Sequence, residues 1–599
     1  MRQIDCSSSE VNKYSSDVYD VVVYESAFNP RSKLRVATQP FDGRTYTLPR
    51  VYFDNLKHCA NLVSEGGVLY VYGLPCDLPQ YGSYLNTLTL GDFRLIFKYW
   101  IVLNIDTRKG VETLQPAHQG LLLYVKSRSS EKTSNGFHLA TGKVKVPHQY
   151  CAHCGQNLRD WGGKKHLMNP AGSALSDVWS DLKPQELADN QLPKAVRDRI
   201  VQLAEEESKL LFVTETSNES LESLPIEPGL HALLEQNVST PISEPVLNRA
   251  SPEWAPLEWN TVYREDCMLF MRRLLSTYPD GVFDLVFADP PYNLEKKYDE
   301  YSDDKSARDY LQWCNEWLRF CARVLKPGGT LMVLNLPKWA ISHALFLHSI
   351  LDFRHWICWD AMGDPRGKLL PAHYSLLYYT KPSSDIKFRY NDTIDLGLTD
   401  YLQPPDSPEY CLRQSCIRAR KRAGNDRRVI LSDVWFNVHR IKHRRDRDYH
   451  PCQLPEKLLD RIIRLTTDPG DRIFDPFAGV GTTALVAQRL GREFLTTEID
   501  PTYVRIINDK LERGRHELDL FGTPVKTGTG KKNRVSKYTK REVEIALQAM
   551  ALNSGRLPTV EEIRTAEPWI LQAAEELYEE GITRPLKAAK LKLRTTVNS

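Results

Sequence analysis

A chain of 599 residues, 41% hydrophobic and 10% aromatic, carries enough apolar material for several packed cores, which excludes wholesale disorder. Its formal net charge of +3 gives no general affinity for polyanions, so any nucleic-acid contact must come from local basic patches. Most of the cysteines stand singly in apolar surroundings (Cys59, Cys321, Cys358), the N-terminus has no apolar signal core, and no run nears the ~18 apolar residues that cross a bilayer; the expectation is a cytoplasmic chain with reduced thiols and no membrane contact.

Read from the N-terminus, the chain presents VYDVVVYE (18–25), LKHCANLVSEGGVLYVYGLP (56–75), DFRLIFKYWIV (92–102), QPAHQGLLLYVKS (115–127), LSDVW (175–179) and NQLPKAVRDRIVQL (190–203). Each block returns in the same order further on: VFDLVFAD (282–289), LRFCARVLKPGGTLMVLNLP (318–337), DFRHWICWDAM (352–362), LPAHYSLLYYTKP (370–382), LSDVW (431–435) and CQLPEKLLDRIIRL (452–465). Self-similarity at so long a period means two copies of one domain and not a solenoid. Each copy alternates β-rich apolar runs with amphipathic helical stretches such as LQWCNEWLRFCARVL, and Gly328-Gly329 falls at a helix-to-strand turn. The prediction is an α/β fold with parallel strands and crossover helices, present twice. The first copy is assigned 1–215, a Ser/Pro/Glu-rich linker 216–256, and the second copy 257–522, with a basic insert at 383–448. Residues 523–599 read as a basic connection and a helical tail, with a capping box at Thr559-Val560-Glu561-Glu562.

Two cysteine pairs fall at equivalent places in the copies, each just after a tyrosine: Cys151-Ala152-His153-Cys154, and Cys411 with Cys416. One pair cannot complete a tetrahedral zinc site, whereas two facing copies could supply four thiolates; the competing reading is free or partly buried thiols.

The second copy holds the chemistry. Asp289-Pro290-Pro291-Tyr292 ends the strand VFDLVFA. An exocyclic amine is a poor nucleophile because its lone pair is delocalised into the ring. Two acceptors gripping its N–H groups, the Asp289 carboxylate and the Pro290 carbonyl, would push it toward sp³. Consecutive prolines hold that carbonyl in place beforehand, and Tyr292 offers a face on which a base can stack. The plain alternative is a rigid turn at a strand end. Further on, Phe474-Asp475-Pro476-Phe477-Ala478-Gly479-Val480-Gly481-Thr482-Thr483 joins an apolar strand to the helix TTALVAQRLG, and the strand REFLTTEID ends in Glu498 and Asp500. Glycines at a helix N-terminus let backbone approach a nucleotide-type ligand, and an acid some twenty residues on can take two ribose hydroxyls. The rival readings are an ordinary βα turn and a dinucleotide site, the latter poor because the third glycine is missing. Between the two motifs lie IRARKRAGNDRR (417–428) and VHRIKHRRDRD (438–448), in which Arg418, Arg420, Lys421, Arg444 and Arg445 are candidate DNA contacts, set against a merely solvated charged loop.

Together the two motifs resemble the DNA amino-methyltransferase family, whose catalytic motif is (Asp/Asn/Ser)-Pro-Pro-(Tyr/Phe) and whose S-adenosylmethionine loop is Phe-x-Gly-x-Gly. Asp289, Pro290, Pro291 and Tyr292 match the first in full; Phe477, Gly479 and Gly481 match the second, with Asp475, Thr482, Glu498 and Asp500 as flanking cofactor residues. The catalytic motif precedes the cofactor loop, as in the permuted beta group, and His450-Pro451-Cys452-Gln453-Leu454-Pro455 resembles the cofactor-side motif with Cys452 and Leu454 departing from it. The resemblance covers about 258–520. It implies a Rossmann-like methyltransferase fold, S-adenosyl-L-methionine as cofactor, a target-recognition region within 383–448, and double-stranded DNA as substrate. It favours adenine N6 over cytosine N4 because the motif is led by Asp. It also implies a restriction or defence partner as a possible associate. The first copy has Glu25-Ser26-Ala27-Phe28 and Phe212-Val213-Thr214-Glu215-Thr216-Ser217 in place of the motifs, so it reads as a degenerate half that stands in for a partner subunit, a pseudo-dimer in one monomeric chain. Two other readings stay open: a non-catalytic DNA-binding protein on a methyltransferase scaffold, and methylation of RNA or a protein side-chain amide.

Overall fold

The computed structural model describes residues 2–27, 41–42, 48–105, 114–130 except 115, 139–158, 166–182 except 167, 191–216, 257–294, 303–361, 369–387, 414–424, 432–438 except 437, 453–516 and parts of 543–586. They divide into two compact units, Met1–Leu518 and Asp519–Ser599.

In the first half of the larger unit, strands β1 (Arg2–Ser7), β2 (Tyr19–Glu25), β3 (Val63–Gly73), β4 (Phe93–Asn104), β5 (His118–Arg128) and β6 (Lys209–Thr214) form, with the short Thr89–Leu90, a seven-stranded sheet of order β1-β6-β2-β3-β5-β4. In the second half, β7 (Thr261–Tyr263), β8 (Phe283–Ala288), β9 (Leu325–Asn335), β10 (Asp352–Asp360), β11 (His373–Thr380), β12 (Val434–Trp435), β13 (Arg472–Asp475) and β14 (Glu493–Thr497) are ordered β7-β14-β13-β8-β9-β11-β10-β12. Phe41–Asp42 adds an antiparallel edge to β10. The run β6-β2-β3-β5-β4 therefore has its counterpart in β13-β8-β9-β11-β10. In both runs only the fourth strand, β5 or β11, is reversed against the rest. Four of the repeated sequence blocks supply the strand pairs β2/β8, β3/β9, β4/β10 and β5/β11, and the last block forms the helices Lys194–Leu203 and Glu456–Thr466.

Helices cover the sheets. The first half has α1 (Arg50–Leu62), α2 (Leu78–Thr87) and α3 (Lys194–Leu203). The second has α4 (Cys267–Thr277), α5 (Ala307–Val324), α6 (Pro337–His348), α7 (Gln414–Arg422), α8 (Glu456–Thr466), α9 (Thr482–Arg489) and α10 (Pro501–His516). All six residues of β8 are buried, as a central parallel strand covered on both faces requires. Crossover α5 starts where Ser306 accepts the Asp309 N–H and buries Tyr310, Cys314, Trp317, Leu318 and Cys321 at helical spacing.

The two halves share one hydrophobic core, and their contact is reciprocal. Trp100 of β4 stacks on Trp356 of β10, ring centroids 4.0 Å apart, and α2 packs on α6 with Gly82 against Ile341. The aspartates of the two LSDVW segments cross over. Asp177 accepts the Ala372 N–H (2.8 Å) and lies 3.0 Å from His373 Nδ1. Asp433 accepts the Ala117 N–H (2.8 Å) and lies 3.0 Å from His118 Nδ1. All four side chains are buried.

In the smaller unit, α11 (Val560–Ala566) and α12 (Trp569–Leu577) pack Ile563, Ile570 and Ala574 with Val543 and Leu547. The expected capping box is present, Thr559 accepting from the Glu562 N–H and Glu562 from the Thr559 N–H. Among the described residues no helix is long and apolar enough to cross a membrane.

Candidate active site

Four adjacent parallel strands, β7, β14, β13 and β8, bring their carboxyl ends to one level. Tyr263 pairs with Thr497, Asp475 with Thr496, and Val286 with Phe474. The segments that continue them (Glu265–Cys267, Glu498–Asp500, Pro476–Gly479 and Asp289–Tyr292) wall a single crevice, joined by Trp313 of α5 and by Gln453 and Leu454 ahead of α8. Open parallel sheets bind ligands in this place. The catalytic and cofactor motifs, far apart in sequence, are neighbours because β8 and β13 are neighbours.

The Asp289–Tyr292 loop is fastened from below. Tyr310 donates its hydroxyl to the Pro291 carbonyl (2.7 Å), and Trp339 donates its indole N–H to the Tyr292 carbonyl (2.8 Å). Asn335 donates to the Tyr310 oxygen (3.2 Å) and lies 3.0 Å from His343 Nε2. Burial pushes the His343 pKa down to about 3, so the ring is neutral and Nε2 can accept. Asn293 closes the loop with φ 54°, its N–H and that of Leu294 both donated to Asp303. Within the loop, the Tyr292 hydroxyl donates to Asp289 Oδ1 (2.5 Å), which orients the carboxylate at the crevice edge. Tyr292 is itself buried, its ring 5.9 Å from that of Tyr374.

On the cofactor side, Glu498 is the acid best placed toward a ligand. It accepts the Gly479 N–H (2.8 Å) and the Asp500 N–H (3.0 Å), and burial raises its pKa to about 7. Asp475 is buried beneath the loop and accepts the Phe477 N–H (2.9 Å); burial raises its pKa to about 6 against the opposing pull of Thr483 and that N–H. Asp500 caps α10 by accepting the Thr502 N–H (2.6 Å). Phe477 packs on Trp317 and Trp313, ring centroids 5.2 and 5.8 Å away.

Two expectations change. Gly481 caps α9 with φ 76°, and a Cβ there would meet Ile507 of α10 at 2.7 Å. Backbone conformation and the close packing of α10 by themselves require glycine here. Arg420, expected at a DNA surface, is buried on α7 with its guanidinium 3.2 Å from Cys416 Sγ. Arg418 is exposed on the same helix, and Lys421 also lies on it. Arg444, Arg445, His450 and Cys452 lie outside the described residues. The sequence reading missed Tyr310, Trp313, Asn335 and Trp339. The only trace of the first two was a stripe on α5, which equally suits a plain core.

Sheet, crevice and paired motifs define an α/β methyltransferase with a nucleotide-type cofactor site. Residues 283–509 match the family model described as DNA methylase. The chain is 37% identical over 265 residues to the type II methyltransferase M.BamHI of Bacillus amyloliquefaciens, 44% of this chain and 59% of that one. It is 30% identical over 263 residues to the type II methyltransferase M.HpaI of Haemophilus parainfluenzae (42% and 76%). It is 28% identical over 272 residues to the DNA adenine methyltransferase YhdJ of Escherichia coli strain K12 (43% and 85%). The chain belongs to this family of DNA amino-methyltransferases.

Proposed function

We propose that the second half binds S-adenosyl-L-methionine in the crevice and methylates an exocyclic amine of a base flipped out of duplex DNA, adenine N6 in preference to cytosine N4. The observation that carries this is the placement of Asp289–Tyr292 and Phe477–Glu498 on the same crevice, at the ends of neighbouring strands. S-adenosylmethionine, when bound, supplies an electrophilic methyl group on a sulfonium. Glu498, held by two backbone N–H groups, accepts hydroxyls of the sugar, and Phe477 offers an apolar face. Asp289 and the Pro290 carbonyl take the two amine N–H groups and aim the nitrogen lone pair outward. Asp289, which takes one amine N–H, is placed to receive the proton that the nitrogen sheds as it gains a methyl group. The base lies against Tyr292. Adenine is favoured by the Asp-led motif and by the likeness to an enzyme named as a DNA adenine methyltransferase.

In this reading residues 1–215 are a degenerate copy that serves as a built-in partner subunit, and 383–448 carry target recognition, with Arg418, Arg444 and Arg445 on phosphates. The support is the reciprocal Asp–His contact between the halves and the shared strand order. The test is base-resolved methylation sequencing of DNA from cells expressing the protein. N6-methyladenine in one sequence context is expected; N4-methylcytosine would move the target to the second base, and unmodified DNA would sink the enzyme reading.

A further inference from the structure

Away from the crevice, the chain brings three cysteines from two halves to one point. The thiol sulfurs of Cys151, Cys154 and Cys416 all lie within 4.8 Å of one another. Cys151 and Cys416 are buried, separated by 265 residues in sequence and by 3.7 Å between sulfurs. A disulfide would need about 2.05 Å. A tetrahedral zinc ion with Zn–S bonds of about 2.3 Å sets its sulfurs about 3.8 Å apart.

The local backbone is shaped for this. Tyr150 and Asn157 form an antiparallel bridge, the Cys151 N–H donates to the Gln156 carbonyl (2.7 Å) and the Gly155 N–H to the Cys151 carbonyl (2.8 Å). Gly155 stands at φ 65°, the left-handed conformation that closes the turn at little cost only for glycine. The Cys-x-x-Cys-Gly run is thereby folded into a knuckle with both sulfurs on one side. The third sulfur comes from the first turn of α7 in the other half, where the helix N-terminus favours a thiolate. Arg420, one turn on, places its buried guanidinium 3.2 Å from Cys416 Sγ, the countercharge that an anionic metal–thiolate cluster calls for inside a protein.

We propose that Cys151, Cys154 and Cys416 bind one structural zinc ion, a clasp that ties the knuckle of the first half to the helix beside the basic segment of the second. Cys411, which the spacing of the pairs suggested as a fourth ligand, lies outside the described residues, and the site stands on the other three. The inference does not depend on the methylation reading.

The full-length chain, purified without chelator, should carry about one zinc per molecule by elemental analysis. Cobalt(II) put in its place should show thiolate-to-metal charge-transfer bands and the visible bands of a tetrahedral ion. Cys151→Ser combined with Cys416→Ser should remove the metal and the charge-transfer bands. Stripping zinc should speed amide exchange in 150–158 and 414–424 while S-adenosylmethionine affinity stays within about two-fold. Metal-free wild-type protein that also takes up no cobalt, full zinc content in the double variant, or a Cys151–Cys416 disulfide recovered from freshly lysed cells would each overturn the site. Because the cobalt spectrum is read on the unaltered chain, the test survives a variant that fails to fold.

Discussion

At the end of β2, Glu25 stands where Asp289 stands at the end of β8, and the surroundings of the two acids differ throughout. Asp289 meets an open crevice, its loop held by Tyr310 and Trp339. Glu25 is buried, accepts from the Thr214 hydroxyl (2.9 Å), and burial raises its pKa to about 7. In the place of Phe477 the first half has Glu215, surrounded by the Ser8 hydroxyl (2.6 Å), the Tyr24 hydroxyl (2.6 Å) and the Asn55 amide (2.9 Å). Side chains satisfy one another at this sheet end. The comparison teaches that two sheets can share a strand order while one ends in an open crevice and the other in groups that pair among themselves.

The largest effect that would break the comparison is at Asp289. Asp289→Ala should cut methyl transfer by at least a hundred-fold, on the order of losing one preorganised polar contact to a transition state, while DNA binding persists; turnover near wild type in a single-turnover assay would remove Asp289 from the chemistry. Next comes loss of the whole first half. A fragment 226–599 would bare Trp356 and Ile341 and leave Asp433 without His118 and the Ala117 N–H. It should aggregate or self-associate in analytical ultracentrifugation; a monomeric, fully active fragment would show the first half to be dispensable.

A smaller effect sharpens the cofactor side. With its pKa raised to about 7, Glu498 keeps its proton in the folded, ligand-free protein well above the ordinary carboxylic range. The folded state then binds more protons than the unfolded one, so stability from this group falls as pH rises from 4.5 to about 7. The ionised carboxylate is the stronger acceptor of hydroxyls, so S-adenosylmethionine affinity should rise through the same upper limit. Glu498→Gln should bind about ten-fold more weakly, the scale of one hydrogen bond to a charged group, and show a flat profile by calorimetry. An unchanged profile would place the titration elsewhere. The smallest effect belongs to Glu25→Gln, which should leave turnover within experimental scatter and, by removing a carboxylate that is buried and ionised above its pKa of about 7, raise the melting temperature slightly at alkaline pH. A clear loss of turnover with folding intact would mean that the first crevice works.

Much of this was legible in the residues. Strands rich in Val, Phe and Leu, repeated blocks, and two motifs each at a strand end were enough to anticipate the α/β sheets and the crevice residues Asp289, Phe477 and Glu498. What the sequence concealed depends on direction in space. A Cβ added at Gly481 would run into Ile507, which no spacing rule reveals. Arg420 looks like its exposed neighbours, yet helical phase turns it inward to Cys416. Tyr310 reaches the Pro291 carbonyl, and Asn335 reaches Tyr310, only because α5 and β9 pack beneath the loop.

The crossed aspartates have a consequence for dilution. Two separate subunits joined by such a face would part as their concentration fell through the dissociation constant. Here the faces belong to one molecule, tethered through residues 216–256, and meet at an effective concentration on the order of millimolar for a short tether, whatever the number of molecules in the cell. If the first half is the built-in partner proposed above, specific activity per molecule should hold constant on dilution down to a few copies.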